Sequence, residues 1–143
     1  MKIYAGSDHA GLPLKHRLIQ HLNKLGHEVV DLGTDSEASC DYSDYAHAVA
    51  EKVAAEADTL GLLTCGSGIG MSIAANRHHG VRAALCHNSL EASLARQHNN
   101  ANVLVLGGRI IGDELAIDIL NTFLKAAFEG GRHARRVDKI EHA

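Results

Sequence analysis

Aromatic residues make up only 3% of this 143-residue chain, tryptophan is absent, and proline occurs once, at Pro13. The core must therefore be aliphatic, and the 45% of residues that are hydrophobic suffice for one substantial core but not for two ordinary domains. A single domain over residues 1–143 is expected. Cysteine is scarce too: Cys40, Cys65 and Cys86 are an odd number without CxxC spacing, which argues against a disulfide framework and against a thiolate zinc site. No run approaches the roughly 20 apolar residues of a membrane span. The opening MKIYAGSDHAG lacks the apolar stretch of a secretion signal, so a cytoplasmic protein is expected. With a formal charge of −3 there is no global basic field to gather nucleic acid or an anionic membrane, and neither is expected as a partner.

What is present is a βαβα rhythm. The strand-like runs KIYAG, HEVVDLG, TLGLLTCG, VRAALC and NVLVLGG alternate with helical stretches near 12–25, 45–57, 68–76, 89–98 and 114–128. The continuous apolar runs at 60–63 and 103–106 are of the kind buried on both faces of a parallel sheet. The expected fold is α/β, a three-layer αβα sandwich around a Rossmann-like five-stranded parallel sheet. Pro13 marks the start of the first helix. The polar, basic tail EGGRHARRVDKIEHA reads as a final helix from about residue 132.

Open parallel sheets bind ligands beyond the carboxyl ends of their strands. Those positions carry Ser7, Asp8 and His9 after the first strand, Cys65 to Gly70 after the third, and Gly107 to Arg109 after the fifth. In Cys65-Gly66-Ser67-Gly68-Ile69-Gly70 a thiol precedes alternating glycines whose curled backbone turns several N–H groups inward, a nest suited to an oxyanion or phosphate. A tight turn around a structural cysteine is the simpler alternative. Three nucleotide or phosphate motifs fail on spacing. A GxGxxG fingerprint would need glycine where Met71 stands, a Walker loop would need a lysine, and a Cys-x5-Arg phosphatase would need arginine at Met71. That leaves the thiol as a base rather than a phosphate-attacking nucleophile.

Arg132 and Arg136 are one helical turn apart and could clamp a phosphate, although a solvated basic tail has the same appearance. Histidine is abundant, with 11 in the chain, so no single one is informative by itself. His78-His79 lacks a convergent set of carboxylates or thiolates, and no HExxH spacing occurs, so no metal is expected. His98 closes a helix, where it can serve as a C-terminal cation for the dipole or face the active edge of the sheet.

Taken in order, these segments resemble the ribose-5-phosphate isomerase B family, which includes allose- and galactose-6-phosphate isomerases. The resemblance spans nearly the whole chain. It rests on Ser7-Asp8-His9-Ala10-Gly11, Asp41-Tyr42 with Tyr45-Ala46, Cys65 to Gly70 through Ala74-Ala75-Asn76, Gly80-Val81-Arg82-Ala83-Ala84, Arg96-Gln97-His98-Asn99-Asn100 and Glu129-Gly130-Gly131-Arg132-His133. It implies an aldose–ketose isomerase that needs no cofactor or metal. Cys65 would move a proton from C2 to C1 through a cis-enediolate held by the loop of Gly66, Ser67, Gly68 and Gly70.

By the same resemblance Asp8 and His98 open the furanose ring, His9, Arg109, Arg132 and Arg136 hold the phosphate, and Tyr42, Ser67 and Asn99 complete the pocket. It also implies a homodimer or dimer of dimers with sites at the subunit interface, His98 and Asn99 coming from the neighbour. Family members that use a glutamate base carry it where this chain has Ile69, so the cysteine mechanism is the consistent one. Ribose 5-phosphate is the expected substrate. A six-carbon sugar phosphate, or a non-catalytic sensor of sugar phosphates, are the alternatives.

Overall fold

A computed structural model describes residues 1–142. Five strands alternate with helices: β1 (Lys2–Ser7), α1 (Leu12–Lys24), β2 (Glu28–Asp31), α2 (Tyr42–Ala55), β3 (Thr59–Cys65), α3 (Ile69–Ala75), β4 (Ala83–Leu85), α4 (Ser89–Asn99), β5 (Val103–Gly107), α5 (Asp113–Lys125) and α6 (Arg132–Asp138), the last followed by a 3-10 turn. All pairings are parallel and the strand order is β2-β1-β3-β5-β4, the five-stranded α/β architecture expected.

The central strands β3 and β5 are buried at every residue, as strands covered on both faces must be, whereas the edge strands β2 and β4 contain no fully buried residue. Alternation divides the core. Ile3, Ala5, Leu62 and Leu104 face one layer with Leu18 and Leu22 of α1 and Ile119 and Phe123 of α5; Tyr4, Leu63, Val103 and Val105 face the other with Val49 and Val53 of α2 and Met71 of α3. At roughly 25 cal/mol per Å² of apolar area, these two interfaces are the main favourable term of the fold. No helix of the described residues is long and apolar enough to cross a membrane.

Two details depart from the expected pattern. α2 begins at Tyr42 instead of residue 45, because Asp41 is extended at the N-cap position and Asp44 falls in the first turn, where a carboxylate complements the helix dipole. Tyr42 is thus the first helical residue and not part of a loop. In addition, Lys15 is fully buried on α1; its Nζ pairs with Asp31 Oδ1 at 2.7 Å and donates to the Thr34 carbonyl oxygen. The ion pair ties α1 to the end of β2, and the second bond ties it to the loop that follows.

Candidate active site

The sheet register brings three strand ends to one edge: Ser7 pairs with Thr64, and Cys65 with Gly107. β1 and β3 are the neighbours at which the winding of the chain reverses, the place where open α/β sheets form a crevice. A cleft of about 420 Å³ lies there, lined by Asp8, His9, Ala10, Tyr42, Cys65, Gly66, Ser67, Gly70, Arg109 and Ile110.

Cys65 is the last residue of β3, and its side chain packs on the α2–α3 side of the sheet with only 4% of its surface exposed. The chain then turns sharply, so that the Gly68 N–H donates to Sγ at 3.1 Å. That turn requires φ = +79° at Gly68, and a Cβ there would sit 2.5 Å from Leu85 Cδ1; only glycine fits both conditions. At Gly70 the demand is space: a Cβ would come 2.5 Å from Cε2 of Tyr42, so the bare backbone lets the tyrosine ring lie across the loop. Ser67 Oγ accepts from the Ile69 N–H at 3.2 Å. The loop after β5 latches onto the thiol loop, with the Gly108 N–H donating to Cys65 O at 2.8 Å and the Arg109 N–H to Gly66 O at 2.9 Å. The Arg109 side chain covers Gly66, a position from which its guanidinium can meet an anion in the cleft.

On the β1 side, Asp8 is buried and its Oδ1 accepts the Gly11 N–H at 2.9 Å, a short loop closed on itself. His9 Nδ1 accepts the Cys40 N–H at 3.3 Å. A neutral imidazole accepting at Nδ1 carries its proton on Nε2, so His9 offers a ligand a donor. The cleft therefore combines a thiol, a carboxylate, a hydroxyl, an imidazole donor and a guanidinium.

His98, Asn99, Arg132 and Arg136 are not part of this cleft. Within one chain they gather at a separate corner where α6 packs on α4. α4 is well anchored at its start: Asn88 Oδ1 accepts the Glu91 N–H at 2.8 Å while Glu91 Oε1 accepts the His87 N–H at 2.8 Å, a reciprocal cap. At its end the left-handed Asn100 stops the helix, Arg82 Nε donates to Asn100 O at 2.9 Å, and Arg96 donates to Ala101 O. His98, held in that last turn, stacks on His133 with ring centroids 4.3 Å apart and planes 9° from parallel. Arg132 and Arg136 are exposed one turn apart on α6, and among the described residues neither makes an ion pair.

Glu129 and His133 were legible in the sequence only as part of the tail motif. Their i,i+4 spacing was the available signal; the stack on His98 was not, because it depends on how α6 docks. Burial, then the neighbouring charges of His98 and Arg132, hold His133 below the usual histidine range. Burial pushes the Cys86 thiol, just beyond β4, up to about 12, which marks it as a structural thiol. The nitrogens His47 Nδ1 and His78 Nε2 are 2.7 Å apart and share one hydrogen bond.

The comparisons with known proteins agree with this fold. Ribose-5-phosphate isomerase B of Escherichia coli (strain K12) is 48% identical over 139 residues, which are 97% of this chain and 93% of that protein. The crystal structure of a ribose 5-phosphate isomerase from Thermotoga maritima superposes with a TM-score of 0.97 at 53% identity, covering 99% of this chain and 98% of that one. A structure of ribose-5-phosphate isomerase B from Mycoplasma genitalium with bound ribulose-5-phosphate has a TM-score of 0.95 at 50% identity, covering 99% and 94%. The family model described as Ribose/Galactose Isomerase matches residues 3–140, and the chain belongs to that family.

Proposed function

We propose that the protein interconverts D-ribose 5-phosphate and D-ribulose 5-phosphate, with Cys65 as the base. The observation that carries this is the sulfur at the end of β3, held by the Gly68 N–H and flanked by Asp8, His9, Tyr42, Ser67 and Arg109 in one cleft. The Mycoplasma genitalium relative with ribulose-5-phosphate bound supports the choice of substrate.

The reaction needs a ring opened, a proton moved and a negative charge held. In ring opening the anomeric hydroxyl gives up its proton as the ring oxygen gains one, the task assigned to Asp8 and His98. The Cys65 thiolate then takes the C2 proton. The electron pair of the C2–H bond becomes the C1=C2 bond of a cis-enediolate, and charge develops on the former carbonyl oxygen at C1, where N–H groups of the Gly66–Gly70 loop and the Ser67 hydroxyl can meet it. Return of the proton to C1, with the O2 proton passing to O1, yields the ketose. The electrons stay within the substrate, so the balance calls for no hydride carrier. Base catalysis of this kind contributes about 10²–10⁴-fold.

His98, Asn99, Arg132 and Arg136 must reach the cleft, and within one chain they do not. The proposed solution is a second copy, whose α4–α6 corner completes the cleft. Paired apolar residues support it: Ile69 and Ile73 on α3 and Leu90 and Leu94 on α4 sit one turn apart and exposed, with Ile110 at the rim of the cleft also bare. Both copies would then contribute to each of two sites, as a two-fold pair requires. The three free cysteines fit a reducing compartment, and we place the enzyme in the cytoplasm.

The test is ketose formation from ribose 5-phosphate by purified protein with chelator and no added cofactor, beside allose and galactose 6-phosphates. Turnover of ribose 5-phosphate in preference to the six-carbon sugars is expected. Turnover of a six-carbon phosphate alone would keep the mechanism and change the substrate, and binding without turnover of any would replace the isomerase by a sensor.

A further inference from the structure

The α4–α6 corner sets beside His98 two further donors, Glu129 and His133, to which the isomerase reaction gives no part. Among the described residues, His98, Glu129 and His133 each offer one ligand atom, and these atoms lie within 4.8 Å of one another. The group is not a loose surface coincidence: the Glu129 N–H donates to Gln97 O at 3.0 Å, which fastens the segment before α6 to the last turn of α4. His133 is buried with 6% of its surface exposed, yet its Nε2 has no hydrogen-bond partner. The nearest carboxylate oxygen, Glu129 Oε2, is 3.7 Å away, beyond hydrogen-bond range. A buried ring nitrogen left without a partner is uncommon and invites an explanation in terms of something it binds.

Two imidazoles and one carboxylate are a set that zinc accepts, with a fourth position open to water. Ligand atoms around tetrahedral zinc at about 2.1 Å are separated by roughly 3.4 Å, so the group has to draw in by an ångström or so, and the His98 ring has to turn out of its parallel stack on His133 for both in-plane lone pairs to meet one ion. His98 is half-buried and Glu129 exposed, and both have room to make that movement; His133 is the fixed point. The flanking guanidiniums of Arg132 and Arg136 oppose a cation and weaken its binding. The other histidine pair, His47 with His78, offers no such site, since those two nitrogens already satisfy each other.

We infer that His98, Glu129 and His133 bind a borderline divalent cation of the zinc type, and that the bound ion inhibits the enzyme by occupying the nitrogen His98 contributes to ring opening. The inhibition rests on the proposed role of His98; the binding does not.

The experiment is calorimetric titration of chelator-treated, full-length protein with Zn²⁺, paired with isomerase assays over the same concentrations. Glu129→Gln and His133→Phe are the variants, the first an exposed change that leaves the fold alone and the second one that keeps a ring in the stack; thermal melts confirm both are folded. One Zn²⁺ per chain is expected, with half-inhibition near the Kd, reversal by chelator, and a loss of affinity of tenfold or more in each variant, accompanied by an equal shift in inhibition. Unchanged affinity in both variants would overturn the site and move the ion to the cysteines. Tight binding that both variants weaken, with full activity of the zinc-loaded wild type, would leave the site standing and overturn the inhibitory claim together with the role given to His98.

Discussion

The cleft around Cys65 and the corner around His98 divide the candidate site residues between them, and they are held in place by different means. Asp8, Cys65 and Arg109 follow strand ends whose register is set by the most buried strands of the molecule, with two backbone hydrogen bonds latching one loop to the next. His98, Arg132 and Arg136 sit on helix surfaces, joined by an imidazole stack and one backbone hydrogen bond, and the arginines are exposed without ionic partners. The first region is preorganised by the sheet, as a base and an oxyanion nest must be. The second has the looser build expected of groups that meet a phosphate and a ring oxygen brought to them by another surface. On the proposed function the difference is that between two half-sites, one preorganised by the sheet and the other carried on helix surfaces.

The sharpest way to break that comparison is to inactivate each half separately. Cys65→Ala and His98→Gln should each lose about 10²–10⁴-fold in kcat. Unfolded and refolded together, the two variants should recover about a quarter of wild-type turnover, since half the random pairs are mixed and each mixed pair has one intact site. No recovery would confine the whole site to one chain.

The support beneath the cleft can be removed next. Asp31→Ala leaves the fully buried Lys15 ammonium without its carboxylate and should cost about 3 kcal/mol in denaturant unfolding. A loss well under 1 kcal/mol would show that the Thr34 carbonyl suffices.

In the corner, Arg132→Ala should raise KM by about 10–100-fold, the worth of one charge-assisted contact, with a smaller fall in kcat because remote binding energy also supports the reacting geometry. An unchanged KM would take Arg132 out of the phosphate clamp.

The smallest effect is expected at the other buried thiol. With Cys86 pushed up to about 12, Cys86→Ala should leave kcat within about twofold, and alkylation near pH 8 should spare Cys86. Rapid modification of Cys86 would remove the contrast drawn between the two thiols.

These regions also differ in how far the sequence reveals them. The cleft was legible because continuous apolar runs locate β3 and β5, and the residues just past parallel strands fall on one edge whatever the details of packing. Tyr42 was legible as a site residue but not as the first residue of α2, since an extended Asp41 at the N-cap leaves no trace in hydrophobic periodicity. Lys15 was not legible at all: a lysine on an amphipathic helix ordinarily reaches solvent, and its burial follows from Asp31 at the end of β2 and Thr34 in the loop beyond it. The separation of His98 from Cys65 was implied by the family resemblance alone and not by the residues, because it depends on where α4 ends and α6 docks. The spacing of Arg132 and Arg136 on one helix was read correctly, since a single turn needs no tertiary information.

The most direct test of the account follows the proton. Ribulose 5-phosphate incubated with enzyme in deuterated water should give ribose 5-phosphate with deuterium at C2, and the recovered ketose should carry deuterium at C1. Cys65→Ala should bind the ketose with affinity close to wild type and incorporate none. Undiminished exchange in Cys65→Ala would contradict the assignment of Cys65 as the base, whatever the overall rate of turnover.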